Sequence, residues 1–178
     1  CDYVGINTYA RNTVRFDLGN PLELFGRRDV APGAPRGDAG VVGLYGEIYP
    51  AGVERVIERV AVFGKPIYVT ENGVADAQDR LRPWVIARAL KGVHDALSDE
   101  VDVRGYFHWS LVDNFEWADG WTMRFGLVEL DVTTQARTLR RSAALYRSIA
   151  QANALTREMV AQYTPDALEE IFGGGPTP

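Results

Sequence analysis

The chain has 178 residues, a formal net charge of −5, 46% hydrophobic residues and 24% charged residues. This length suits one domain with a sizeable core, and the mild acidity argues against a nucleic-acid partner, since surfaces that bind a duplex are normally basic. A single cysteine, Cys1, excludes an intrachain disulfide and a thiolate metal cluster. With no signal peptide and no apolar run of the roughly 20 residues that span a membrane, we expect a cytoplasmic protein with no membrane partner.

Hydrophobic periodicity predicts strands alternating with helices along the chain. Residues 2–9 are predicted to form a short strand, and residues 10–48, rich in proline and glycine, a long loop of functional importance. The next predicted elements are, in order, helix 50–62, strand 66–70, helix 83–97, strand 103–109, a hairpin at 125–130, helix 138–152, a further helix within 156–172, and a disordered tail.

The repeated order of strand, loop and helix predicts parallel strands joined by crossover helices, an α/β fold. In such folds the functional loops leave the C-terminal ends of the strands. The polar and aromatic residues at the three predicted strand ends are Asn7 and Tyr9, Glu71 and Asn72, and His108 and Trp109.

Glu71 stands out because a charged residue directly follows the buried-looking strand Ile67–Thr70 in "KPIYVTENGVAD". A carboxylate at a strand end can be a nucleophile, a base, a metal ligand or one half of an ion pair. The structural alternative is an ion pair with an arginine such as Arg11, Arg80 or Arg82.

The stretch "FHWSLVDNFEWADGW" places three tryptophans and two phenylalanines among Asp113, Asn114, Glu116 and Asp119. Indole faces stack on the apolar faces of pyranose rings, and carboxylates accept hydrogen bonds from sugar hydroxyls. The alternative is a core aromatic cluster with solvated acids around it. On a predicted loop the whole stretch favours sugar binding, because burying aromatic residues with interleaved acids is costly.

His108 could be a base or a metal ligand, but a second conventional ligand is missing nearby, and His94 lies on a predicted helix. A structural role with satisfied hydrogen bonds is therefore favoured for both histidines. The chain contains no phosphate-binding loop, dinucleotide fingerprint or Gly-x-Ser-x-Gly elbow. A Rossmann-like dehydrogenase is therefore excluded.

Four segments together resemble the family 1 glycoside hydrolases, the group of β-glucosidases and β-galactosidases. They are "CDYVGINTYAR", "GEIYP" with "GKPIYVTENGVAD", "LRPWVIARALKGVHDAL" and "GYFHWSLVDNFEWADGWTMRFGLVELD", which span about residues 1–150 in order. The resemblance implies a (β/α)8 TIM barrel and a retaining β-glycosidase without a metal or organic cofactor.

For the catalytic residues, the resemblance implies that Glu71 is the nucleophile, which attacks the anomeric carbon and forms a covalent glycosyl-enzyme. It implies that Tyr9 donates a hydrogen bond to Glu71 and holds its carboxylate in place. Asn7 would lie in the same wall of the site.

For substrate binding, the resemblance implies that Glu116 accepts hydrogen bonds from the 4- and 6-hydroxyls of the non-reducing sugar. Trp117 would hold the 3-hydroxyl side, Trp109 would form a stacking floor, and Phe125 would close an apolar wall. Because the charge of Glu116 would repel a phosphate, a neutral sugar is expected. The small-molecule partner is a β-glycoside.

The chain departs from the family pattern because the "NEP" motif, which carries the acid/base glutamate, is absent. Only three strand–helix units are predicted, and three parallel strands cannot close a barrel. We therefore expect residues 1–152 to be the C-terminal part of the barrel, its last three units, and residues 153–178 to be an extension. The expected partner is the missing N-terminal half or another copy of the chain. The competing interpretation is an inactive half-barrel that binds sugar weakly or self-assembles.

Overall fold

A computed structural model of the chain describes residues 1–38 and 47–173. The tail residues 174–178 and residues 39–46 of the predicted loop lie outside the described residues. The strands are β1 (Val4–Asn7), β2 (Ala10–Arg11), β3 (Thr13–Phe16), β4 (Gly26–Asp29), β5 (Glu47–Ile48), β6 (Ile67–Asn72), β7 (Val103–His108), β8 (Val128–Leu130) and β9 (Arg137–Leu139). The α-helices are α1 (Gly52–Ala61), α2 (Arg82–Ser98), α3 (Arg141–Ala152), α4 (Arg157–Tyr163) and α5 (Leu168–Phe172).

Strands β1, β6 and β7 form a parallel sheet with β6 in the middle. Helix α1 connects β1 to β6 in the chain order, and α2 connects β6 to β7. The predicted parallel strands with crossover helices are therefore confirmed. Among the described residues, β1 and β7 each pair with β6 alone in this sheet, so both outer edges are open.

The core lies between this sheet and its helices. Val53 and Ile57 on α1 and Ile67 and Val69 on β6 are all fully buried in one cluster. Each fully buried aliphatic side chain stabilises the fold by about 1.5–3 kcal/mol relative to the exposed state. This packing fixes the height and the tilt of β6, the strand that carries Glu71.

The opposite face of the sheet is open. Tyr3 and Phe107 are 55% and 56% exposed, and the Tyr3 and Tyr68 rings meet edge to face at 5.3 Å between centroids. Glycine at 105 leaves room for this aromatic layer, because a Cβ there would lie 2.8 Å from the Tyr68 ring. Large apolar side chains therefore stand on a face without a covering layer among the described residues.

The predicted long loop is wrong over its first half. Residues 13–29 form a hairpin of β3 and β4, with Thr13 opposite Asp29 and Phe16 opposite Gly26. At its base, β2 pairs with β5. The hairpin was not predicted, because its strands have no buried face that would produce an alternating apolar pattern. All four residues of β3 are exposed.

Three further predictions need correction. The second hairpin pairs β8 with β9, so it lies at residues 128–139 and not at 125–130, and α3 begins only at Arg141. The helix predicted within 156–172 is divided into α4, a 3-10 turn at Pro165–Ala167 and α5. Pro165 lacks an N–H and cannot continue α4.

The extension packs on the body of the protein. Val160 and Ile171 are buried against Ala87 of α2. Among the described residues, no helix is long and apolar enough to cross a membrane.

Candidate functional site

Strand β6 carries one extra residue, and this bulge aims Glu71. Two residues of β6, Val69 and Glu71, stand opposite the consecutive residues Ile6 and Asn7 of β1, and the register against β7 shifts at the same place. Val69 and Asn72 are therefore both buried although three positions apart, while Thr70 is exposed and Glu71 half-buried. Bulges commonly redirect a side chain at functional sites.

Tyr9 holds the Glu71 carboxylate. Its hydroxyl donates a hydrogen bond of 2.7 Å to Glu71 Oε2, and its ring meets Phe125 edge to face at 6.0 Å between centroids. Among the described residues no donor forms a hydrogen bond with Oε1, so that oxygen is available to a ligand. The ion pairs proposed as the structural alternative go elsewhere: Arg11 binds Glu47 at 2.5 Å and Arg82 binds Asp79.

Asn72 and Gly73 connect the end of β6 to its neighbours. The Asn72 amide donates to Thr8 O at 2.7 Å and accepts from the Tyr106 hydroxyl at 2.8 Å. A Cβ at position 73 would lie 2.0 Å from the Trp109 carbonyl oxygen, which only glycine avoids. The end of β6 is thus held against the start of the aromatic loop, which we define as residues 109–121.

Asn7 is exposed at the end of β1. Its side-chain Oδ1 lies 2.6 Å from Thr70 Oγ1, which also lies 3.1 Å from the Ile6 carbonyl oxygen. The Asn7–Thr70 and Tyr9–Glu71 hydrogen bonds therefore both connect the end of β6 to the chain at and just after the end of β1, where the strand ends were predicted to carry the site.

Glu116 and Trp109 form a second group beyond the end of β7. Glu116 is 7% exposed, and its Oε1 accepts from Trp109 Nε1 at 3.1 Å and from Asn114 Nδ2 at 2.6 Å. Oε2 accepts no hydrogen bond from the described residues. A buried carboxylate with one unused oxygen can accept hydrogen bonds from a polar ligand.

The two remaining predicted binding residues differ sharply in exposure. Trp117 is 87% exposed and has a φ of +46°, in the left-handed region that residues other than glycine rarely occupy. Its indole is therefore open for stacking. Phe125 is only 1% exposed and lies behind the Tyr9 ring. Its observed contact supports Tyr9, so the apolar wall predicted at Phe125 is not open to solvent.

Asp113 has a structural partner. It is 2% exposed and accepts from both terminal nitrogens of Arg140, at 2.8 and 2.9 Å, and from Gly126 N at 2.8 Å. Burial disfavours its charge, but the hydrogen bonds from Arg140 and Gly126 outweigh burial, so the pKa of Asp113 is lowered. Among the acids of the aromatic stretch, Asp113 thus fastens the loop to the start of α3.

His108 points to the helix side of the sheet, and its ring lies 6.1 Å from the Tyr146 ring. Burial and the charge of Arg82 lower the pKa of His108 to about 3, so the ring is neutral. Its two ring nitrogens are buried without a hydrogen-bond partner among the described residues. The expected structural position is observed, but the expected satisfied hydrogen bonds are not.

Several residues that shape the site were missed from the sequence. Thr70 and Gly73 were not identified as site residues, although each contacts one that was. A signal was available for Gly73, since a glycine directly after a strand indicates a close backbone approach. Asn114 was named only as a member of the aromatic stretch, and its hydrogen bond to Glu116 was not predicted, because it depends on the fold of the loop.

A carboxylate held at a bulged strand end, together with a second, buried carboxylate that accepts a hydrogen bond from an indole, is a combination typical of sites that bind sugars. The chain belongs to glycosyl hydrolase family 1, whose model matches residues 1–155. The three parallel strands are accordingly part of a TIM-barrel fold, and the resemblance seen in the sequence is confirmed.

The relatives are β-galactosidases and β-glucosidases. The chain is 38% identical over 169 residues to a β-galactosidase of Pyrococcus woesei and 33% identical over 166 residues to β-glucosidase A of Thermotoga maritima. A solved β-glycosidase from Pyrococcus horikoshii superposes with a TM-score of 0.79 at 38% identity over 91% of this chain.

These matches cover most of this chain but a minor part of each relative. They include 89% of the chain and 33% of the Pyrococcus woesei protein, and 86% of the chain and 35% of the Thermotoga maritima protein. For the solved structure, the match covers 37% of the relative. The chain therefore spans about a third of the length of the relatives it matches.

Proposed function

We propose that the chain supplies the nucleophile of a retaining β-glycosidase that hydrolyses terminal, non-reducing β-D-glycosyl residues. The observation that carries this proposal is the hydrogen bond of 2.7 Å from Tyr9 to one oxygen of Glu71, at the bulged end of the middle strand. It orients the carboxylate and leaves Oε1 available to attack. The names of the relatives support the substrate class.

In the proposed mechanism, Glu71 Oε1 attacks the anomeric carbon while the bond from that carbon to the aglycone oxygen breaks. A carboxylic acid outside this chain protonates the departing oxygen. Water then attacks the anomeric carbon of the glycosyl-enzyme, the same outside group takes a proton from that water, and Glu71 is released. Tyr9 keeps the Glu71 carboxylate aligned through both steps.

The second catalytic carboxylate is assigned to the part of the barrel that this chain does not contain. General acid catalysis contributes roughly 100- to 10,000-fold, and the two carboxyl groups of a retaining enzyme stand about 5–5.5 Å apart. The chain spans about a third of its relatives. We therefore expect it to work when joined to, or assembled with, the remaining two thirds of the barrel.

The proposed sugar is neutral. Glu116 is buried, and one of its oxygens accepts no hydrogen bond from the described residues, which suits hydroxyl donors and opposes a phosphate by charge repulsion. Trp109 and the exposed Trp117 supply the apolar surfaces on which the ring stacks.

A second candidate function is an inactive fragment that binds sugar weakly or self-assembles. The open edges of β1 and β7 favour it, because unpaired strand edges are templates for association. In this second candidate, unlike the first, no acid carboxylate comes close to Glu71, so no glycoside is hydrolysed.

The test measures hydrolysis of p-nitrophenyl β-glucoside by the chain alone and by the chain coexpressed with a barrel segment from a relative that supplies the missing strands. We expect turnover only in the complex, and a mechanism-based 2-deoxy-2-fluoroglucoside should label Glu71, as read by mass spectrometry. Glu71→Gln should reduce turnover at least 1,000-fold, a magnitude typical of removing a catalytic group, while Glu129→Gln, an exposed matched control, should not. A complex of Glu71→Gln as active as the parent would remove Glu71 from the mechanism.

A further inference from the structure

Glu116 is fixed through one of its two oxygens. Its side chain is almost fully buried, and the hydrogen bonds that it accepts from Asn114 Nδ2 and Trp109 Nε1 both end on Oε1. The bond from Asn114 is 2.6 Å long, against 3.1 Å for the bond from Trp109. A short hydrogen bond to an ionised group is the stronger kind, so Asn114 is the principal restraint on the carboxylate.

The orientation of the Asn114 amide follows from the chemistry of its neighbours. An ionised carboxylate can only accept hydrogen bonds, so the amide nitrogen must face Glu116. The amide oxygen then faces Ser110, whose hydroxyl lies 3.2 Å from Asn114 Oδ1 and 2.9 Å from the Val112 carbonyl oxygen. Ser110 is 8% exposed and directly follows Trp109. Asn114 is thereby held between the end of β7 and the carboxylate.

A local turn does not account for Asn114. Besides Glu116 and Ser110, its side chain approaches the Phe115 carbonyl oxygen, which lies 3.5 Å from Nδ2, beyond the range of a normal N–H···O hydrogen bond. The short bond to a buried carboxylate is thus the main interaction of this side chain.

We infer that Asn114 is a positioning residue that fixes which oxygen of Glu116 reads the sugar. By occupying Oε1, it leaves Oε2 with both lone pairs for sugar hydroxyls, so discrimination at the 4- and 6-positions depends on Asn114. This inference rests on the proposed function of Glu116. Without Asn114, only the longer hydrogen bond from Trp109 restrains the Glu116 carboxylate. The carboxylate can then rotate, so that either oxygen faces the indole and either faces the sugar.

The inference is tested with the 178-residue chain assembled with the barrel segment that supplies the missing strands, by titrating glucose and 6-deoxyglucose and following saturation transfer from protein to sugar by NMR. The parent is expected to bind glucose more tightly than 6-deoxyglucose. Asn114→Leu, which keeps the size but removes the donor, is expected to bind glucose about tenfold more weakly, which is the effect of losing about 1.4 kcal/mol, and to lose the preference. Asn12 is an exposed asparagine outside the aromatic loop, so Asn12→Ala should behave as the parent.

A second variant keeps the test sharp if Asn114→Leu unfolds the loop. Asn114→Asp has nearly the same shape but places a carboxylate at 2.6 Å from Glu116 Oε1, where like charges repel. It too is expected to lose the preference for glucose. Urea unfolding of each variant shows whether the fold is retained, and retained preference in Asn114→Asp would overturn the inference.

Glu116→Gln separates this inference from the function on which it rests. If Glu116→Gln loses the preference for glucose and both Asn114 variants keep it, the inference is wrong and the role of Glu116 stands. If Glu116→Gln keeps the preference, or the parent shows none, the proposed role of Glu116 is wrong and the inference fails with it.

Discussion

Single residues decide where charge sits in this fold, and His108 is the clearest case. Its ring is neutral because burial and the nearby Arg82 lower its pKa to about 3. In the unfolded chain the same ring has an ordinary pKa near 6.5. The unfolded state therefore binds more protons than the folded state between these two pKa values, and the free energy of unfolding falls as the pH falls through that window.

We expect acid to destabilise the chain through His108. Between pH 7.5 and pH 5 the free energy of unfolding should fall by up to about 2 kcal/mol from this ring alone. His108→Gln removes the titrating group, so its unfolding free energy should change less over the same range. Urea unfolding at the two pH values measures both. An equal fall in parent and variant would contradict the assignment of a low pKa to the folded state.

Glu71 shows how a single extra residue places a functional side chain. The residues that follow Val69 would alternate between faces in a regular strand, which would bury Glu71 with the helices. The bulge keeps Thr70 and Glu71 on the same side and gives the buried position to Asn72, whose amide is satisfied by Thr8 and Tyr106.

Among the elements, the hairpin of β8 and β9 and helix α3 are joined through Asp113. Its carboxylate accepts from Gly126 N and Leu130 N on one side and from Arg140 on the other. These bonds fix the end of the aromatic loop, and through it the approach of Glu116 to Trp109.

We expect Asp113→Asn to destabilise the chain by roughly 3–5 kcal/mol at pH 7, because it leaves the buried Arg140 without its counter-charge. The lowered pKa of Asp113 has a second effect. Its stabilisation is present above the unfolded pKa of about 3.9 and is lost as the pH falls from there through the lower folded pKa.

Urea unfolding at pH 7 and below pH 4 measures both effects. Between these pH values the unfolding free energy of the variant should fall by less than that of the parent, because the variant has no titrating carboxyl at position 113. Asp119→Asn, on the exposed part of the same loop, is the matched control and should change the unfolding free energy by less than about 0.5 kcal/mol. Equal effects of the two substitutions would show that the Arg140 pair adds no stability.

Sequence patterns predicted the elements whose residues have one buried side. The apolar positions of α1, α2 and β6 repeat with the period of the element, so their existence was predicted within a few residues. The hairpin at 13–29 has no such pattern, because Val14 and Phe16 are 65% and 71% exposed. Its pairing depends on cross-strand contacts, which a local period does not reveal.

The resemblance pointed to Glu71, Tyr9 and Glu116, and it also predicted the hydrogen bond from Tyr9 to Glu71 that the structure contains. The partners of the acids in the aromatic stretch were not predicted. Asp113 was grouped with possible sugar ligands because its partner, Arg140, lies 27 positions further along the chain. Long-range partners of this kind decide whether an acid is structural, and no local spacing encodes them.

For the molecule as a whole, the open sheet face dominates the expected behaviour. The aromatic side chains Tyr3 and Phe107 are more than half exposed, and β1 and β7 each pair in this sheet with β6 alone among the described residues. An apolar face between two open edges favours association with further strands.

We expect Phe107→Lys to weaken assembly of the chain with a segment that supplies the missing strands by about tenfold, because it places a charge on the face to be covered. Val62→Lys changes a residue that is 81% exposed near the end of α1 and should leave assembly unchanged. Copurification followed by analytical ultracentrifugation gives both dissociation constants. Equal assembly of the two variants would place the contact elsewhere on the molecule.

The close approach of Gly73 to Trp109 bears on recombination among related genes. Since a Cβ at position 73 would collide with the Trp109 carbonyl oxygen, the strand that carries Glu71 and the loop that carries Glu116 fit each other through their backbones. In a chimera with a crossover between them, the strand comes from one parent and the loop from the other, so the two backbones need not fit. Residues 67–116 are therefore best exchanged as one block, since a crossover outside that block transfers both carboxylates in the geometry they share.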